Sequence, residues 1–237
     1  MACAKLFALF FILELKGVQK LKKIYVVRHG QTIINRYDKM QGWCDTPLTE
    51  AGIEGAKEAG RQLANVPFDI AISSDMKRAS DTCEYIMAEN CNRDELQHIA
   101  TPFFREQFYG FFEGMNSDEA WRMIGGPHGY PTRDSLFSHV DIDTAKDYLK
   151  EADPYHEAED AEEYWERLDQ GFDMIKQMDG AENILLVTHG FTIRSIVSRV
   201  APGKYDLRHG PQNASISIFN MNDAGELSVV SYNKMTI

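Results

Sequence analysis

Positive charge is scarce in this chain: 25 lysines and arginines stand against 36 aspartates and glutamates, for a formal net charge of −11 over 237 residues. That deficit argues against a nucleic-acid or anionic-membrane surface. Any anion site must be a local concentration of Arg and His working against the global field. Cysteine is sparse too. Cys3, Cys44, Cys83 and Cys91 show neither metal-ligand spacing nor a disulfide pattern, which fits free thiols in a reducing cytoplasm. The chain shows no apolar run long enough to span a bilayer as a helix, since the block from Leu6 to Leu13 falls well short. With Lys5 before it, this block resembles the n- and h-regions of a signal peptide, but no small-x-small cleavage site follows before the first strand. Residues 1–20 therefore read as a leader outside the core, from an upstream translation start, with export as the alternative. Internal repeats and low-complexity tracts are absent as well.

What is present is an alternation of strand and helix patterns. A hydrophobic content of 43% supports one sizeable core, hence a single domain over residues 21–237 with an excursion at about 107–159. Ile24 to Val27 is a short apolar run expected for a strand buried on both faces. Thr49 is placed to cap a helix over Glu50 to Ala64, and Ile70 to Ser73 reads as a second buried strand. Asp75 is expected to cap a helix from Met76 to about Glu89, and a short strand is expected near His98 to Ala100. From Gly110 to about Glu159 regularity is lost, and this stretch is expected to lie over the sheet as a lid. A long helix follows, from the acidic run at Glu157 to about Met178. A strand at Ile184 to Val187, a helix at Phe191 to Val200 and a hairpin turning at Asn222 to Gly225 complete the pattern. This order predicts a three-layer α/β/α sandwich with a mostly parallel central sheet and a cap insertion.

Two strand ends carry the chemistry. The first strand stops at Arg28-His29-Gly30-Gln31-Thr32, and the late one runs into Thr188-His189-Gly190. Open α/β sheets bind ligands at such strand ends. Gly30 and Gly190 let the backbone approach an anion, and the Arg28 guanidinium matches a phosphate. A third copy, Arg208-His209-Gly210, follows no buried strand and is read as a decoy. Attack on phosphorus needs a neutral imidazole, donors for the phosphoryl oxygens and an acid for the departing oxygen. His29 is the candidate nucleophile. Arg28 and Arg78 form the candidate clamp on the phosphoryl oxygens, Arg78 near a helix N-terminus. His189 is read as a charged donor to the same group, and Asn35 as an amide donor at the far end of the loop. Glu106, beside the aromatic stretch Phe108 to Phe112, is the candidate acid, its pKa raised by desolvation.

Several segments in the same order resemble the histidine phosphatase superfamily, also called the phosphoglycerate mutase-like family, from about Lys22 to Tyr232. They are Arg28 to Thr32 with Asn35, Gln41 to Gly52, Ser73 to Ala79, Arg105-Glu106 with Glu113-Gly114, Thr188 to Gly190, and Asn213 to Ser215. The resemblance implies a phosphoglycerate mutase-like fold and a phosphohistidine at His29, with Arg28, Arg78 and His189 holding the phosphate. It also implies that Glu106 protonates the leaving group and then helps to activate water. The family requires no metal, and no cofactor is expected.

Within that family, glycolytic mutases carry an Arg-Arg-Ser-Tyr segment and a proline run after the acid, whereas this chain reads Gly129 to Ser135 without either. The segments Arg105 to Gly114 and Asn213 to Ser215 resemble the phosphatase branch. A phosphomonoester hydrolase acting on a small phosphorylated metabolite is therefore expected, with a mutase or a non-catalytic phospholigand-binding member as alternatives. Trp121, Arg122, His128, Tyr130, Arg133 and His139 in the excursion suit a small polar phosphoester, with no role assigned to any of them. No nucleic-acid or membrane partner is expected, and oligomeric state is left open.

Overall fold

The computed structural model describes residues 21–237; the leader expected over residues 1–20 lies outside them. A six-stranded sheet forms the centre, built from β1 (Lys22–Arg28), β2 (Ile70–Ser74), β3 (His98–Thr101), β4 (Asn183–Thr188), β5 (Ile216–Met221) and β6 (Leu227–Lys234). Its order is β3-β2-β4-β1-β5-β6. The first four strands are mutually parallel, while β5 and β6 run antiparallel at one side. Insertion of β4 beside β1 sets Arg28 opposite Thr188, so the two His-Gly junctions leave neighbouring strands in the sheet interior.

Alternate residues of β1 and β4 enter different cores, as side chains must on a pleated strand. Ile24, Val26, Ile184 and Leu186 pack with Leu168 and Phe172 of α7 (Ala161–Lys176) and Ile193 and Val197 of α8 (Gly190–Val200). Tyr25, Val27, Leu185 and Val187 pack with Ala59 and Leu63 of α2 (Glu50–Leu63) and Ala79, Cys83 and Ile86 of α3 (Lys77–Ala88). These two apolar faces are why the strand runs lack polar alternation, and they give the three-layer sandwich.

The excursion is more regular than its sequence suggests. It folds into α4 (Ser117–Gly125), α5 (Arg133–His139) and α6 (Ile142–Ala152), around Phe112, Trp121, Ile124, Leu136, Phe137 and Leu149. Each helix is short, at 9, 7 and 11 residues, and each begins at a side-chain cap: Asn116, Thr132 and Asp141. The periodic signal of such short pieces is weak, and Gly126-Pro127 breaks it further. Phe191 of α8 inserts into this cluster and joins it to the sandwich.

Two further expectations change. Asp75 does not cap α3; Met76 holds that position without a side-chain bond, and the Asp75 carboxylate instead takes both arms of Arg105 at 2.6 Å. The long helix starts at Ala161 rather than Glu157, where Asp160 and Glu163 form a reciprocal capping box. Thr49 caps α2 as expected, accepting from Gly52 N–H. Among the described residues no helix is long and apolar enough to cross a membrane.

Candidate active site

At the C-terminal ends of β1 and β4 the two imidazoles meet, with ring centroids 5.1 Å apart. The His29 N–H continues the β1–β4 ladder, reaching Thr188 O at 2.9 Å. Gly30 follows because the loop passes against the start of α2: a Cβ there would lie 2.3 Å from Gly52 O. The His29 Nδ1 sits 2.8 Å from Gly30 O, so it carries the ring proton and leaves Nε2 with the lone pair. Burial first, and then Arg78 and Arg28, hold the His29 pKa well below its ordinary 6.5. That shift favours the neutral ring, which keeps its lone pair on Nε2.

Arg78 lies behind the two rings, only 1% exposed. Its guanidinium is held by carbonyls of the 41–44 loop, with Nη2 2.7 Å from Gly42 O and Nη1 3.0 Å from Cys44 O. Asp45 adds an ion pair at 3.2 Å. Arg78 Nη2 also points at His189 Nδ1, 3.0 Å away, and Nε approaches His29 Nε2 at 3.4 Å. A guanidinium can only donate, so His189 Nδ1 accepts and its proton sits on Nε2, which is buried with no protein partner. Burial, Arg78 and His29 together hold the His189 pKa well below 6.5. His189 is thus a neutral N–H donor here, not the charged one expected from the sequence.

Arg28 donates from Nη1 to Pro211 O, while its Nε is buried without a partner. Its guanidinium packs against Gly190, where a Cβ would lie 3.0 Å from Nε and 3.1 Å from Cζ. That close approach is the reason for glycine at the start of α8. Asn35, in the one-turn helix α1 (Ile33–Arg36), accepts on Oδ1 from Thr32 N–H at 3.3 Å and from Asn213 Nδ2 at 3.2 Å. Its own amide is 3.4 Å from Gln41 Oε1. Asn213 also donates to His29 O at 3.0 Å, from a turn in which Ala214 takes a left-handed φ of 59°.

Glu106 reaches the N-terminus of α8, where His189 provides no side-chain cap. It accepts from Phe191 N–H and Thr192 N–H, each at 2.9 Å. Burial raises its pKa above 4.5, partly offset by those bonds. A carboxyl so placed can hold a proton nearer neutrality than a surface glutamate would.

Arg28, His29, Asn35, Glu106 and Gly190 line one cavity of about 340 Å³. Arg78 and His189 do not reach its wall; they form the layer beneath His29. The sequence left two parts of the site without roles. The Glu113 carboxylate gathers the N–H groups of Gly42, Trp43 and Cys44 at 2.8–3.2 Å, and so shapes the carbonyl cradle of Arg78. Arg133 of α5 and Arg194 of α8 also line the cavity; neither forms an ion pair among the described residues, and each has a buried Nε without a partner. Arg194 is 2% exposed and stacks on Phe137 at 3.7 Å. Burial, then Arg133, lowers its pKa to about 9. An arginine inside a helix as apolar as Phe191 to Val200 was the available signal for it. His209 of the decoy tripeptide lies at the cavity mouth, 3.8 Å from Asp134, while Arg208 is turned to Asp206.

A phosphoglycerate mutase from Bacillus anthracis superposes with a TM-score of 0.84 at 32% identity, covering 92% of this chain and 95% of its own. An alpha-ribazole phosphatase from Shigella flexneri shares the fold, with a TM-score of 0.68 at 21% identity over 91% of this chain and 98% of its own. In sequence, a 2,3-bisphosphoglycerate-dependent phosphoglycerate mutase 2 from Gloeobacter violaceus is 29% identical over 175 residues, 73% of either chain. The family model for the histidine phosphatase superfamily (branch 1) matches residues 24–234, and the chain belongs to that superfamily.

Proposed function

We propose that this chain hydrolyses a small phosphomonoester through a phosphohistidine at His29. The observation that carries this reading is the neutral His29 ring, its Nδ1 proton tied to Gly30 O and its Nε2 lone pair met only by Arg78 Nε at a long 3.4 Å, set in the wall of a cavity that also holds Arg28 and Glu106. Nε2 forms a bond to phosphorus as the ester P–O bond breaks, and Glu106 gives its proton to the departing oxygen. Ionised Glu106 then takes a proton from water as that water's oxygen attacks phosphorus and the N–P bond breaks, releasing phosphate. Arg28 binds the phosphoryl oxygens, with the amide of Asn35 and the backbone at Gly190 beside it, while His189 supports the His29 ring from the buried layer beneath. Arg78 acts from below: it orients both rings and, with burial, keeps them unprotonated.

The cap, residues 107–159 of the same domain, closes the cavity and contributes Tyr109, Ser117, Trp121 and Arg133. Arg133 and Arg194 add further positive charge to the cavity wall, which favours substrates with a second acidic group. The free thiols Cys44, Cys83 and Cys91 suit a cytoplasmic setting.

A mutase is the second reading, favoured by the names of the Bacillus and Gloeobacter proteins. The Gly129 to Ser135 segment, without an Arg-Arg-Ser-Tyr sequence, supports hydrolysis instead. Incubating the purified protein with monophosphoglycerate primed by bisphosphoglycerate separates the two. Release of inorganic phosphate is expected; interconversion of the 2- and 3-isomers without phosphate release overturns the hydrolase.

A further inference from the structure

The two oxygens of Glu106 are not equivalent. Oε1 accepts three hydrogen bonds: Thr192 N–H at 2.9 Å, the Thr192 hydroxyl at 2.9 Å and Gln107 N–H at 3.2 Å. Oε2 accepts one, from Phe191 N–H at 2.9 Å. A carboxylate oxygen whose lone pairs are already occupied is a poor place for a proton, so a protonated Glu106 carries it on Oε2. Thr192 is wholly buried, and its hydroxyl has a second acceptor within reach, the carbonyl of Arg105 at 3.2 Å. A hydroxyl owns one proton and can serve only one of these acceptors at a time.

We propose that Thr192 is a positioning residue whose hydroxyl changes acceptor with the charge of Glu106, turning to Oε1 when the carboxyl is ionised and to Arg105 O when it is protonated. The proposal rests on the acid and base roles given to Glu106 above. Protonated Glu106 loses its Oε2 proton to the leaving oxygen, and the hydroxyl swings to Oε1 to meet the new charge. When Glu106 takes a proton from the attacking water, the hydroxyl returns to Arg105 O. A group that must be acid in one half-reaction and base in the next gains from a neighbour that follows its charge without a heavy-atom movement. A fixed donor would favour only the ionised state. The other charged or titratable groups around Glu106 are Arg28 from β1, Arg78 from α3, Tyr109 before α4, Lys146 from α6, Tyr164 and Arg167 from α7 and Arg194 from α8; Arg167 donates to the carbonyls of Arg105 and Glu106 at 3.1 and 3.3 Å, leaving the Arg105 oxygen a second lone pair for the hydroxyl. Exchanging a hydroxyl for a methyl at Thr192 leaves all seven in place, and among them Tyr164 loses the Thr192 hydroxyl beside it.

The test compares pH–rate profiles of the wild type, Thr192→Val and Thr192→Ser on an alkyl phosphate. Loss of the hydroxyl removes a bond to the ionised carboxylate, so the Glu106-dependent limbs in Thr192→Val should move upward by about one pH unit. Thr192→Ser should restore the wild-type profile. A purely structural threonine would lower activity equally at all pH values, and an unmoved Thr192→Val profile overturns the proposal. If the valine does not pack, Thr192→Ala replaces it with the same expected shift. Glu106→Gln separates the two levels: full activity on the alkyl phosphate removes the Glu106 roles themselves, whereas a dead Glu106→Gln with an unmoved Thr192→Val profile removes only the part given to Thr192.

Discussion

Acidification should destabilise this protein well before its ordinary carboxylates titrate, because the fold buries two neutral imidazoles side by side. The pKa values of His29 and His189 are both held well below 6.5, first by burial and then by Arg78. Below pH 6.5 the unfolded chain binds a proton at each ring that the native protein refuses, so stability falls as pH falls. The loss continues until the depressed native values are reached. Each ring contributes a slope of up to about 1.4 kcal/mol per pH unit, and the pair about 2.7. Because the unfolded rings are only half protonated at pH 6.5, the pair costs at most about 3 kcal/mol between pH 6.5 and 5, a large part of the stability of an ordinary domain. Glu106 works in the opposite sense: its raised native pKa makes stability fall as pH rises through that value. The diagnostic is therefore a difference between proteins. Urea unfolding from pH 5 to 8 should give a steep slope in the wild type and a much flatter one in His29→Gln/His189→Gln. Equal slopes would show that the two rings titrate normally and would remove the physical basis for a neutral nucleophile at position 29.

Three other outcomes follow from particular contacts. Glu113→Gln places an amide among the N–H groups of Gly42, Trp43 and Cys44, and should cost about 2 kcal/mol in urea unfolding while lowering kcat through the loosened cradle of Arg78. A variant as stable and active as wild type would deny that role. Arg194→Met should raise KM at least tenfold, roughly, for phosphoesters bearing a second acidic group, and leave p-nitrophenyl phosphate little changed; equal losses on both would mean that Arg194 only supports the fold. Glu106→Gln should slow an alkyl phosphate far more than an aryl phosphate, whose leaving group needs no proton, and an equal loss would count against an acid at that position.

The parts of this molecule that were legible in its sequence are those governed by local pattern. The runs Ile24 to Val27 and Ile184 to Val187 are apolar throughout because each strand is covered on both faces, and Thr49 caps α2 through a bond three residues long. The parts that were not legible depend on distant partners. Asp75 looks like a helix cap until Arg105, thirty residues on, takes its carboxylate. The cap helices are too short to show a period, and their core forms only when Phe191 arrives from α8. The neutral form of His189 is favoured first by burial and then by Arg78, 111 residues away in sequence. Arg208-His209-Gly210 lacks a preceding strand, as expected, yet the chain's return path sets His209 at the cavity mouth.

The most direct test of a phosphoryl group carried on the imidazole of residue 29 is acid- and alkali-quenched trapping with a ³²P-labelled phosphoester, followed by peptide mapping. An alkali-stable, acid-labile label on the peptide containing His29, absent from His29→Ala, is the predicted result. A label on another residue, or none while turnover proceeds, would contradict the account.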